Sequence, residues 1–301
     1  MRIGVMVGEV RGPVTVDDLV AQVADVVAHG IGTAWTAQAL GWDALTGLAV
    51  AGTRVPGIAL GTAVVPVAPR HPRTLASQAL SVQAATGNRL RLGIGLGIGS
   101  MMSGLFGLPV DRPVRRMRDY LDQLVPLLHD TVIPGTTPPP VLLAALGPAM
   151  LRLAAERADG AITWMAGPRV LAEQCASGAE IVAGLPVCVT SDPDGARAWI
   201  AARFGMAAGV PEYRAVFDRE GVTGPQDVAL IGDEEQVARE LDRIAGAGVA
   251  EFVGSPFGDA DEQRRTMRLL GRVADGGRVA GQVAGDGRIG GDHADGGRRS
   301  R

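Results

Sequence analysis

The sequence predicts an α/β protein, a (β/α)8 TIM barrel, on three observations. Strand-like and helix-like segments alternate for about eight units over about 275 residues, the size and count of such a barrel. The stretch Pro140–Pro168 reads as strand, tight turn, helix and strand, and a β-α-β unit that compact requires a parallel sheet. Glycines such as Gly147 and Gly167 fall just after strands, at the carboxyl ends where these folds bind ligands.

In chain order, Arg2–Val7 is an apolar, branched strand, and 16–29 has helical spacing with Thr15 as cap and Gly30 as stop. Thr33–Thr36 is a short strand around Trp35, followed by a helix over 42–51. A strand over 58–65 leads to a helix over 72–85, and 89–98 is the next strand. Residues 113–128 form a strongly amphipathic helix with Met117, Tyr120, Leu121, Leu124 and Leu127 on one face. In the compact unit, Val141–Ala145 is a strand, Pro148 suits a first helical turn because its missing N–H would be unpaired there, and Ala161–Trp164 is a second buried strand. Residues 185–190 and 228–231 read as strands, 193–206 and 234–247 as helices, 251–253 as the last strand and 261–273 as the last helix. After residue 274 the composition turns to Gly, Arg and Asp without apolar period. The expected organisation is therefore a barrel domain over 1–274 and a disordered tail over 275–301.

Composition narrows the chemistry. All 29 basic residues are Arg, which removes a Schiff-base lysine and a Walker A lysine. The net charge of −3 leaves no electrostatic footprint for nucleic acid. The apolar-strand start is not a signal peptide, and no apolar run is long enough to span a membrane, so no membrane partner and a cytoplasmic location are expected. Cys175 and Cys188 are too few for a disulfide scaffold, no histidine pair has ligand spacing, and no metal site is expected. A G-x-S-x-G nucleophile elbow is absent. Glu9 and Asp43 each follow a strand, a position open to catalytic carboxylates and equally to solvated surface acids.

Gly93, Gly95, Gly97 and Gly99 fail the dinucleotide fingerprint, since Ile98 and Ser100 stand where the third glycine would be. On a continuous strand the four would share one bare face, open to a flat ring, or they would mark a tightly packed barrel corner. His71, where the third strand gives way to its helix, is either a proton donor or phosphate partner, or a solvent-exposed helix-start histidine.

Residues 60–66 (LGTAVVP), Arg70-His71-Pro72, 89–95 (RLRLGIG), Gly107-Leu108-Pro109 with 111–115 (DRPVR), 144–148 (AALGP), 158–165 and 256–259 together resemble the luciferase-like monooxygenase superfamily, and within it the oxidoreductases that use the deazaflavin coenzyme F420. The resemblance covers about residues 1–273 and implies the same barrel with a flavin-like ring across the strands' carboxyl ends. It further implies a non-prolyl cis peptide at Ala63–Val64 and a coenzyme phosphate on backbone amides near Gly147, Thr163, Trp164 and Gly167. The cofactor-binding set expected is Trp35, Ala63, Val64, Gly95, Gly97, Gly147, Pro148, Thr163, Trp164 and Gly167. Gln38 and His71 are expected to orient or protonate a small-molecule substrate. The chain departs from such relatives at Ala37, Gln38 and Trp42, where an Asp-His before Trp is common, and at Gly97, Ile98 and Ser103, where Ser-His and Glu are. It is also shorter between His129 and Pro140 and between Gln174 and Leu185. The implied function is hydride transfer between F420 and an organic substrate. The alternatives are an FMN-dependent monooxygenase of the same fold, or a catalytically degenerate ligand-binding paralogue. Relatives of this kind often pair, which leaves room for a homodimer.

Overall fold

The computed structural model describes residues 1–276 apart from Pro13, Ala39, Leu40, Ile98, Pro109 and Val110. The tail expected to be disordered lies outside the described residues beyond Gly276, and so does the departure at Ile98. The elements are β1 (Arg2–Val7), α1 (Val16–Ala28), β2 (Thr33–Thr36), α2 (Ala44–Arg54), β3 (Ala59–Thr62), β4 (Val65–Pro66) and α3 (Pro72–Thr86). They continue with β5 (Leu90–Gly95), α4 (Gly99–Phe106), α5 (Pro113–Asp130), β6 (Val141–Ala144), α6 (Pro148–Arg157), β7 (Gly160–Trp164) and α7 (Pro168–Cys175). The last are β8 (Ile181–Val189), α8 (Pro193–Phe204), α9 (Pro211–Glu220), β9 (Leu230–Gly232), α10 (Glu234–Gly246), β10 (Glu251–Pro256) and α11 (Ala260–Ala274).

Local chemistry sets the helix ends. Thr15 and Asp18 form a reciprocal capping box on α1, as Asp259 and Glu262 do on α11. Pro occupies the first turn of α3, α5, α6, α7, α8 and α9. Gly87 (φ 68°) and Gly221 (φ 83°) close α3 and α9 in the left-handed region that a side chain disfavours.

Every pairing in the sheet is parallel, and β10 bonds both β1 and β8, so β1, β2, β3, β5, β6, β7, β8 and β10 close a ring. The expected barrel is therefore present. The segment read as an eighth strand, β9, stands outside that ring and pairs only with the end of β8, at Val187–Val189. All nine residues of β8 are buried, as parallel strands covered on both faces must be. One apolar layer lies between strands and helices. A smaller one fills the barrel interior, with Met6, Trp35, Leu142, Ile162, Val182 and Val253.

Three expectations on local structure are corrected. The strand read over 89–98 ends at Gly95: Gly97 turns with φ 85° and Gly99 starts α4, so the four glycines do not share one strand face. The strand read from 185 begins at Ile181. Helices α4, α7 and α9 were not expected, although Pro168 and Pro211 mark the starts of the latter two.

The third strand carries a bulge. Gly61 pairs with Arg91 and Val65 with Ile94, so four steps on one strand oppose three on the other. The Ala63–Val64 peptide bond inside it is cis, where the resemblance implied it. Thr62 Oγ1 holds the bulge to β5, donating to the Gly93 carbonyl at 2.7 Å and accepting from the Gly93 N–H at 2.8 Å. A Cβ at Gly93 would lie 1.8 Å from the Thr62 carbonyl oxygen, so that glycine serves strand packing. Among the described residues no helix is long and apolar enough to cross a membrane.

Candidate functional site: a cavity at the carboxyl rim

A cavity of about 820 Å³ opens at the carboxyl ends of the strands. That volume lies in the upper part of the range for ligand pockets, roughly 300–1,000 Å³. Its floor is the upper part of the barrel interior, Met6, Ile162, Val182 and Val253. One wall is the bulge with its cis bond, another the ends of β5 and β6, and a third the α6 entry. Helix α9 and the end of α8 cover it with Phe204, Val210 and Tyr213.

Of the expected cofactor-binding residues, Ala63, Val64, Gly95, Gly97, Gly147, Pro148 and Trp164 all stand on the cavity lining. Gly147 is the N-cap of α6 and has no side-chain cap, so the first-turn N–H groups of that helix are open. A Cβ at Gly147 would meet nothing within 4 Å. The turn before it is clamped: the Leu146 carbonyl accepts from Gln174 Nε2 at 3.2 Å and from Arg219 Nη2 at 2.9 Å. Trp164 leans over Gly184, where a Cβ would come within 2.5 Å of its ring, and meets Phe204 edge-on at 6.5 Å.

The remaining expected residues lie elsewhere. Trp35 is fully buried in the amino half of the barrel, pressed against Gly4 and Gly61. Its indole N–H donates to Glu251 Oε1 at 2.8 Å and its ring carries the Arg91 guanidinium at 5.1 Å. It is a core side chain, and its expected part in the cavity is corrected. Thr163 sits between Ile162 and Trp164 on β7, so strand alternation turns its side chain outward, away from the lining. At Gly167 the amides are already taken: Arg169 and Val170 N–H groups donate to the Glu220 carboxylate at 3.1 and 2.8 Å. The start of α7 thus holds the chain's own anion, not an open seat.

Neither expected catalytic side chain lines the cavity. His71 is exposed and caps α3, accepting from the Arg73 N–H at 3.2 Å. Gln38 Oε1 accepts from Arg70 Nη2 at 2.9 Å, and the same guanidinium pairs with Asp43 at 2.7 Å. That trio ties the end of β2 to the start of α3. Desolvation opposes ionisation of Asp43, but bonds from Thr46 and Arg70 outweigh it and hold the carboxyl below its usual range. Glu9 accepts from the Trp42 N–H at 3.1 Å, so both acids noted in the sequence serve the backbone near them.

The polar groups that do line the cavity were missed. Besides the Trp164 indole they are Glu212, Tyr213 and Arg219, all on α9. The signal was available in Pro211 and Gly221, a first-turn proline and a terminating glycine ten residues apart, bracketing α9.

Comparison with solved structures shows the same architecture. The coenzyme F420 dependent tetrahydromethanopterin reductase from Methanopyrus kandleri superposes with a TM-score of 0.70 at 17% identity, over 92% of this chain and 99% of that one. The FMN complex of the oxygenating constituent of 3,6-diketocamphane monooxygenase from Pseudomonas putida gives 0.71 at 14%, over 93% and 98%. At those identities the likeness is one of fold. A protein of Mycobacterium tuberculosis, strain H37Rv, provisionally named coenzyme F420-dependent oxidoreductase Rv3520c, is 30% identical over 201 residues, 56% of this chain and 57% of that protein. Matches to the curated relatives span about half of their length. The family model for luciferase-like monooxygenases matches residues 1–251, and the chain belongs to that family of oxidoreductases and monooxygenases.

Proposed function

We propose that this protein is an oxidoreductase that moves a hydride between the deazaflavin coenzyme F420 and an organic substrate in the rim cavity. The observation that carries the reading is the cavity itself: a largely apolar slot backed by Ala63 and Val64, with the open start of α6 and Arg219 at one side. The residues fit such a group. Val64, Gly95 and Ala144 offer a flat, small-residue wall to a planar ring, and the first turn of α6 with Arg219 offers donors to an anion. Bound reduced deazaflavin would supply a hydride; the protein's part is a dry, oriented pocket. Met6, Ile162 and Val253 keep water from the floor, and Trp164 with Phe204 narrows the mouth. Arg219 cannot drift, because the Leu146 carbonyl holds it.

Titration of the purified protein with oxidised F420 is expected to give saturable quenching of the coenzyme's fluorescence. Absence of saturable binding overturns the reading. The FMN-dependent alternative draws support from the FMN-bound structural neighbour. Oxygen consumption with reduced FMN, and none with F420, would select it. Ring binding without turnover on any acceptor would select the degenerate paralogue.

A further inference from the structure

The side chains around the cavity give a substrate almost nothing polar to hold. Arg219 is engaged by the Leu146 carbonyl and stands 3.5 Å from Glu173, and Glu212 is exposed to solvent. Gln38 and His71 are outside the lining altogether. Tyr213 differs from all of these. Its ring stacks on Phe217 with centroids 6.5 Å apart and an interplanar angle of 27°, and Phe217 is fully buried, so the ring is anchored. Tyr213 lines the cavity, and its hydroxyl has no hydrogen-bond partner among the described residues.

Resting on the oxidoreductase reading above, we propose that Tyr213 is a catalytic residue whose hydroxyl donates a hydrogen bond to the oxygen of a neutral, mostly apolar ketone or aldehyde. The walls argue for neutrality. A charged substrate would lose its water against Met6, Val64, Leu96, Ile162 and Val253 with no side chain there to replace it. A carbonyl that is to be reduced needs a donor that can also give up its proton, and on this lining the Tyr213 hydroxyl can do so where the Trp164 indole N–H serves as a donor only. Burial pushes the Tyr213 phenol up to about 12, so it stays protonated and able to donate throughout the neutral range. The step balances with a reduced deazaflavin as reductant. The carbonyl carbon gains a hydride, the C=O π pair moves to oxygen, the Tyr213 O–H bond breaks and its proton passes to that oxygen. The products are an alcohol, the oxidised coenzyme and a phenolate, and the second proton of the neutral reduced coenzyme, passed through water at the open mouth, restores the phenol.

The test uses the full chain loaded with oxidised F420, with acetophenone labelled at its carbonyl carbon as the probe. Difference infrared spectroscopy should show the bound C=O stretch moved to lower wavenumber, and Tyr213→Phe should abolish most of that displacement. The same variant should weaken ketone binding about tenfold, the net worth of one hydrogen bond, while the coenzyme Kd stays within twofold. An undisplaced stretch in the unaltered protein, an equal displacement in Tyr213→Phe, or a ketone that does not bind overturns the assignment. Failure of F420 to bind the unaltered protein overturns the oxidoreductase reading instead.

Discussion

At the amino end of the barrel, Glu251 is fully buried and every strong group near it is paired. Trp35 donates to it at 2.8 Å, and Arg91 and Arg2 form ion pairs with it. At the carboxyl end, by contrast, the interior side chains stop short, α6 begins without a side-chain cap, and the Tyr213 hydroxyl has no hydrogen-bond partner among the described residues. The same eight strands make both ends. Side chains of residues far apart in the chain satisfy one end completely and leave the other with a void and unspent donors. A saturated end can contribute only stability; an unsaturated one has something left for a ligand.

The comparison breaks most visibly at Glu251. Glu251→Ala leaves the Arg91 guanidinium and the Trp35 N–H without their acceptor, and should cost about 3 kcal/mol, the low end for a disrupted buried pair because both arginines retain some solvent. The denaturation midpoint should fall by that amount while F420 affinity of the folded fraction is unchanged. Gly184→Val acts on the other end. Its side chain drives Trp164 into the cavity, at roughly 1–3 kcal/mol of overpacking, and fluorescence titration should show F420 binding weakened at least tenfold.

A sharper version compares two helix starts at the same rim. Arg219→Gln should weaken F420 binding about tenfold, by loss of a charged donor beside α6. Glu220→Gln should cost about 1 kcal/mol in stability, by loss of the charge at the start of α7, and leave coenzyme affinity alone. The reverse pattern would mean that the anion seat is on α7. The smallest effect is expected at His71→Ala, at most about 1 kcal/mol from the lost cap on α3, with ligand binding unaltered.

Much of the barrel could be read from the residues because its signals are local. Apolar period, the proline at a first turn and the glycine at a last one act within a few residues, so the strand–helix alternation emerged nearly intact. The cavity lining was readable where it rests on backbone and small residues, as at Gly95 and Gly147, and the cis Ala63–Val64 bond followed from the family resemblance. It was misread where a side chain had a choice of partners. Trp35 and Trp164 both follow strand patterns, yet one turns to an acid 216 positions away and the other lines the cavity. The glycine run misled because alternation holds only while a strand lasts, and this one ends at Gly95.

Local patterning alone thus specified an alternating α/β chain, its helix ends and the rim on which small residues would leave room. The folded ring decided the rest: that β9 stays outside it, that Glu220 reaches 50 positions back to fill the start of α7 while α6 stays open, and that α9 brings Tyr213 over the cavity. Those outcomes depend on contacts between residues that no short window contains, and such contacts exist only once the strands have closed.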